Sequence, residues 1–155
     1  MQRKLIGIDL GTTKTGLARS DESGTLAFTW QTIEGNLTSQ LKTLTALILQ
    51  EQSLKQNQGN DKPFQIIVFG LPSQAGEWKD KIQAFALELK HALQERKLDI
   101  SLVFANEDFS SFDAQKNIRE VKSTMKRKKR SQIDTQQDDA EAARIMLQGY
   151  LDKKT

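Results

Sequence analysis

Leu5-Ile6-Gly7-Ile8-Asp9-Leu10-Gly11, followed four residues later by Gly16-Leu17-Ala18-Arg19-Ser20, is the stretch whose reading decides the fold. Lys4–Leu10 is a short apolar run rich in β-forming residues and ended by glycine, which predicts a buried strand. Apolar residues occupy both of its alternating faces, so both faces meet protein. Gly16–Ser20 predicts a second strand and Asp21-Glu22-Ser23-Gly24 a turn. Thr25–Ile33 (TLAFTWQTI) predicts a third strand, on its Thr, Phe, Trp and Ile content. Two tight connections make these three an antiparallel meander.

Working outward, Asn36 is placed to cap a helix in which Leu37, Leu41, Leu44 and Ile48 recur at helical spacing. Polar Lys55–Pro63 reads as a loop, and Gln65–Phe69 (QIIVF) as a strand buried on both faces and ended by Gly70-Leu71-Pro72. A second helix is expected over Glu77–Arg96, with Ile82, Phe85, Leu89 and Leu93 on one stripe. Ile100–Ala105 is a fifth strand, and a last helix runs from Thr135 to Leu151. The order β-β-β-α-β-α-β-α predicts an α/β fold, a mixed five-stranded sheet flanked by helices.

The 155 residues suit one domain, and their net charge of +3 hides a division. Lys116–Arg130 (KNIREVKSTMKRKKR) holds eight bases and one acid, a local charge of +7 that leaves −4 for the rest. The chain has no cysteine, which excludes disulfides, thiolate zinc sites and cysteine nucleophiles. Its one histidine, His91, lies off the apolar stripe of its helix and reads as a surface residue. Any metal is therefore held by oxygen ligands, which favours hard cations such as Mg²⁺ or Mn²⁺. No apolar run approaches the ~20 residues of a membrane span, and no secretory signal is visible. A soluble, cytoplasmic protein without a membrane partner is expected.

Three carboxylates stand in unusual places. Asp9 ends a strand buried on both faces, where a charge is costly unless paired or metal-bound. The plainer reading is that Asp9 opens the turn that follows. Glu107 follows the fifth strand, and sites in open sheets gather at the carboxyl ends of strands. Asp139 heads a helical face shared with Ala142, Ala143, Met146, Leu147 and Tyr150, and small Ala142 and Ala143 let that helix approach the sheet. Thr135 and Asp138 fit a capping box with its N-cap at Thr135, which puts Asp139 in the first turn. Three converging carboxylates would repel one another unless divalent cations sat among them. Two such ions activate a water and stabilise the leaving oxygen of a phosphodiester. The basic stretch supplies contacts to a phosphate backbone, or is simply a solvated loop. Trp30, Trp78, Phe109 and Phe112 are candidates for base stacking, with core or rim packing the commoner role.

These motifs, in order, resemble the YqgF/RuvX family of RNase H-like proteins, pre-16S rRNA nucleases also described as Holliday-junction-resolvase-like. Gly7-Ile8-Asp9-Leu10-Gly11-Thr12 is similar to the family's G-I-D-P-G-T, and Gly16-Leu17-Ala18-Arg19-Ser20-Asp21 to its G-[VL]-A-x-S-D. Gly70-Leu71-Pro72 is similar to its G-L-P, and Asn106-Glu107-Asp108-Phe109-Ser110-Ser111 to its D-E-R-x-[ST]-[ST]. Asp139 through Leu151 (DAEAARIMLQGYL) resembles D-x-x-A-A-x-x-I-L-Q-x-Y-L. Leu10 stands where the family has Pro, Asn106 where it has Asp, and Asp108 where it has Arg, and the region after Pro72 is shortened.

The resemblance implies an RNase H-like sheet and one nuclease domain over residues 1–155, with a basic, mobile segment at 113–131. It implies Asp9, Glu107 and Asp139 as catalytic residues and metal ligands for Mg²⁺ or Mn²⁺. Lys14, Ser110, Ser111, Lys122, Lys126, Arg127, Lys128, Lys129 and Arg130 are the expected substrate contacts. The expected activity is processing of the 5′ end of pre-16S rRNA by a monomer or weak homodimer. Resolution of four-way DNA junctions is the alternative, since the same residues would serve. The departures at Asn106 and Asp108 leave room for a non-catalytic RNA-binding ribosome-assembly module. The first motif is also similar to the first phosphate loop of actin/Hsp70-type ATPases, which place ATP between two such halves.

Overall fold

Strand alternation organises the N-terminal third. In the computed structural model, which describes residues 4–58, 64–106 and 132–154, β1 (Lys4–Asp9), β2 (Lys14–Ser20) and β3 (Ala27–Glu34) form the expected antiparallel meander. The Asp21 carboxylate shapes the β2–β3 turn by accepting hydrogen bonds from the Ser23 hydroxyl and the backbone N–H groups of Thr25 and Leu26. Then follow α1 (Leu37–Gln58), β4 (Phe64–Leu71), α2 (Glu77–Glu95), β5 (Ser101–Asn106) and α3 (Gln132–Lys154). β4 lies parallel to β1, and β5 parallel to β4, so the order across the sheet is β3-β2-β1-β4-β5.

The helices divide between the two faces. α1 and α2 cover one, where Ile6, Ile8, Leu17, Ile67 and Phe69 of the sheet meet Leu44, Ile48, Ile82, Phe85, Leu89 and Leu93. α3 covers the other, packing Ala143, Met146, Leu147 and Leu151 on Leu5, Ala18, Ala27, Ile66 and Val68. Both faces of β1 and β4 are thus covered, which explains their continuous apolar runs. At about 25 cal/mol per Å² of apolar surface, each fully buried Leu, Ile or Phe contributes roughly 1.5–3 kcal/mol. Asn36 caps α1 as expected, its Oδ1 accepting the Ser39 N–H at 2.8 Å.

Two helices are longer than their sequence pattern predicts. α1 continues through Lys55–Gln58, placed above in a loop. Lys and Gln are good helix formers despite their polarity. α3 begins at Gln132 rather than Thr135, since neither Gly nor Pro interrupts residues 132–135. Thr135 therefore lies inside the helix, and no capping box with Asp138 starts it. Asp139 sits in the third turn, beyond the reach of the helix dipole. The buried stripe of α3 is also turned by one position: Ala140, Ala143, Met146, Leu147 and Leu151 are buried, while Ala142 is half-buried.

Candidate active site

Alternation along β1 decides where Asp9 points. Ile6 and Ile8 belong to the core under α1 and α2, and Leu5 to the core under α3. Asp9, four residues from Leu5, therefore faces α3 from the carboxyl end of β1, half-buried. Its neighbours on both sides are glycines. Gly16 of β2 is its antiparallel partner, and Gly70 of β4 follows Phe69, the partner of Ile8. Both neighbours of Asp9 within its row are thus glycine.

Backbone covers one of the two glycines. A Cβ built on Gly16 would run into the carbonyl carbon and oxygen of Asp139 and lie 2.9 Å from the Ala140 nitrogen. Asp139 thus rests directly on the strand beside Asp9, across a pair whose Cα atoms are about 4.5–5.5 Å apart. Two turns on, a Cβ at Gly7 would lie 2.9 Å from Leu147 Cβ. Gly7 and Gly16 together let α3 settle onto the sheet, and Gly16 sets where Asp139 lands. Asp139 is half-buried, with Oδ2 shut away from solvent.

The sheet therefore brings Asp9 and Asp139 to one end and one face. Lys14 joins them: it starts β2 two residues from Gly16, on the same face, and pairs with Glu34 across the strands at 3.8 Å. Among the described residues no three potential ligands cluster into a metal site. Glu107, Ser110, Ser111, Lys122, Lys126, Arg127, Lys128, Lys129 and Arg130 lie outside the described residues, as do Phe109 and Phe112. Asn106, which precedes Glu107 in the sequence, ends β5, and Ala105 before it pairs with Gly70. His91 is exposed, and Trp30 and Trp78 pack against the larger core. Farther along α3, a cavity of about 300 Å³ between β5 and α3 is lined by Phe104, Ala105, Asn106, Met146 and Tyr150, among others.

The backbone behind Asp9 is held by residues that apolar periodicity does not reveal. Leu10, in the family's proline position, is buried in the larger core. The Gly11 N–H donates to Thr15 Oγ1 at 3.1 Å, and Gln40 donates through Nε2 to the Gly11 carbonyl at 3.1 Å. The only signal for Gln40 is its spacing: Gln40, Leu44, Ile48 and Gln52 recur every four residues and are all buried. The Gly11 amide is thus engaged within the protein, where the phosphate-loop reading would need it turned to a ligand.

Charge on α3 is held near its outer side. Arg144 hydrogen-bonds Glu141, and this bond raises the guanidinium's pKa further, against the opposing effect of partial burial. At the far end of the sheet, slight burial works to raise the Asp21 pKa. The hydrogen bonds from Ser23, Thr25 and Leu26 outweigh it and hold the carboxyl below its ordinary value of 3.8.

Among the described residues, the mixed sheet with two helices on one face, a third on the other and Asp9 at the end of its central strand has the RNase H-like arrangement. A family model described as "RuvX: Holliday junction resolvase" matches residues 3–153, so the chain belongs to the RuvX family. Proteins of Fusobacterium nucleatum and Protochlamydia amoebophila, each named "Putative pre-16S rRNA nuclease", are 28% and 30% identical to it. The alignments cover 98% and 97% of this chain, and 99% and 94% of those proteins. A Mycoplasma mobile protein of the same name is 32% identical over 96% of this chain and 91% of its own. Among solved structures, Thermus thermophilus RuvC in complex with a Holliday junction substrate matches with a TM-score of 0.56 at 14% identity, over 98% of this chain and 95% of that one. That likeness is one of fold.

Proposed function

We propose that the chain is a metal-dependent phosphodiester hydrolase that processes the 5′ end of pre-16S rRNA, acting in the cytoplasm as a single RNase H-like domain over residues 1–155. The observation that carries the reading is Asp9 at a strand end, flanked by glycine on both sides, with the backbone of Asp139 seated on one of those glycines. The names of the relatives supply the substrate.

The donor set fits a hard cation. Asp9 stands on a strand and Asp139 on a helix, and the chain has no cysteine. Asp9, Asp139 and Glu107 would hold Mg²⁺ or Mn²⁺. When bound, one or two such ions activate a water and stabilise the leaving oxygen. Lys14 would contact a phosphate at the same end of the sheet, with Ser110 and Ser111 assisting. Lys122 and Lys126–Arg130 would bind the RNA backbone irrespective of sequence. A monomer or weak homodimer suffices for a single cut, and among the described residues no helix is long and apolar enough to cross a membrane.

Purified protein with Mg²⁺ or Mn²⁺ should cut precursor 16S RNA. Asp9→Asn and Asp139→Asn should each lower the rate by about 100-fold or more while leaving the melting temperature near wild type. Variants that cut as well as wild type would overturn the reading. The description of the family model favours a second reading, resolution of four-way DNA junctions. That reaction needs paired incisions and favours a dimer. A strictly monomeric protein with no preference for a junction over a duplex would exclude it.

A further inference from the structure

We infer that Gln40 and Thr15 are positioning residues that hold the Asp9 carboxylate in the orientation a metal ion requires, an inference that rests on the metal-dependent reading above. Gln40 is fully buried on α1, and a buried amide left without partners costs about 1–3 kcal/mol for each group. Its bonds are all made to the backbone and hydroxyl behind the site. Nε2 donates to the Gly11 carbonyl at 3.1 Å and to the Gly35 carbonyl at 2.8 Å. Oε1 accepts the hydroxyl proton of Thr15, which is itself fully buried. The same hydroxyl oxygen accepts the Gly11 N–H at 3.1 Å. A further bond, from the Gly35 N–H to the Thr13 carbonyl at 2.9 Å, ties the same two turns together.

Gly11 is thereby held by both its N–H and its carbonyl, and Leu10 before it is anchored in the core. Ladder pairing with β2 and β4 secures the chain on the other side of Asp9. The backbone is fixed before and after Asp9, which sets the Cα–Cβ direction from which its carboxylate projects. Thr15 alternates with Gly16 on β2 and lies on the face away from α3, while Asp9 faces α3. Gln40 approaches from α1 on that same far side. Neither can be a ligand, and both act through the peptide units after Asp9.

The same helix carries an internal control. Gln52 is buried three turns along the same stripe, donating to the Phe64 carbonyl and accepting the Phe64 N–H, both at 3.2 Å. It clamps the first residue of β4, at the opposite end of the sheet from Asp9. A purely structural role predicts equal behaviour of the two glutamines. A positioning role separates them.

The test is calorimetric titration of Mn²⁺ into the full chain, with thermal melts alongside. Gln40→Met and Thr15→Val remove the hydrogen bonds at nearly constant volume and should each raise the Mn²⁺ dissociation constant about 10-fold or more. Thr15→Ser keeps the hydroxyl and should stay near wild type. Gln52→Met should lower the melting temperature comparably yet leave the dissociation constant unchanged. Should Gln40→Met fail to fold, the Val and Ser variants of Thr15 decide the matter. If Asp9→Asn loses Mn²⁺ while Gln40→Met and Thr15→Val bind as wild type, the positioning role is wrong and the metal reading stands. If Gln52→Met weakens binding as much as Gln40→Met, the effect is one of stability and the positioning role is likewise overturned. Wild type without Mn²⁺ binding, or Asp9→Asn binding normally, overturns the metal reading and this inference with it.

Discussion

Adding one methyl group at Gly16 should displace α3 and disable the site. In Gly16→Ala the new Cβ would overlap the carbonyl of Asp139 and lie 2.9 Å from the Ala140 nitrogen. These are backbone atoms of a helix, so no rotamer change relieves the clash. A carbon–oxygen contact needs about 3.3 Å, so the helix must retreat by more than about 1 Å. That retreat loosens Ala143, Met146 and Leu147 against Ala18 and Val68. Overpacking of this kind costs about 1–3 kcal/mol, and more where backbone must move. For a chain of this size each kcal/mol lowers the melting temperature by about 2–4 °C, so a fall of roughly 5–10 °C is expected. Because Asp139 rides on the displaced turn, metal-dependent cleavage should fall by about 100-fold, as for a 1 Å misplacement of a reacting group. The assays are a thermal melt and a cleavage time course on precursor RNA with Mg²⁺. Gly76→Ser is the control, since nothing lies within 4 Å of a Cβ there and the residue is extended at φ 167°. A Gly16→Ala protein with the melting temperature and activity of wild type would refute the seating of α3 on β2.

Other perturbations separate the parts of the molecule. Gln148 accepts the Ala27 N–H at 2.8 Å and donates to the exposed Thr25 carbonyl at 2.9 Å, so Gln148→Leu should cost about 0.5–1.5 kcal/mol in urea unfolding, chiefly through the Ala27 N–H at the start of β3. The Asp21 pKa is lowered in the folded state, so its contribution is present above the ordinary value of 3.8 and lost as pH falls through the folded value. The stability gap between wild type and Asp21→Asn should therefore close below that pH in melts run across the acid range. Neutralising Lys126–Arg130 should weaken RNA binding and reduce the slope of log K against log salt by about 0.7 for each phosphate that is no longer neutralised, and an unchanged slope would demote the stretch to a solvated loop.

Much of this architecture is legible in local sequence. The periodicity of Lys4–Leu10, Gln65–Phe69 and the Ile82/Phe85/Leu89/Leu93 stripe reports which side chains leave water, and that information is local. Element order follows from it, as does the oddity of a carboxylate at Asp9. Helix limits are harder to read. Lys55–Gln58 and Gln132–Thr135 are polar, and polarity does not end a helix.

What the sequence by itself determines here is the list of elements, the oxygen-only donor set and Asp9 and Asp139 as residues out of place. Tertiary structure alone decides that Gly16 and Gly70 flank Asp9 and that Asp139 lands on Gly16, 123 positions away in the chain. It alone decides that Gln40 reaches Gly11. The reason is physical. A glycine or a buried glutamine carries no periodic signal, because its role is set by the atoms that approach it, and those come from distant parts of the chain only once the sheet has its order and α3 its register.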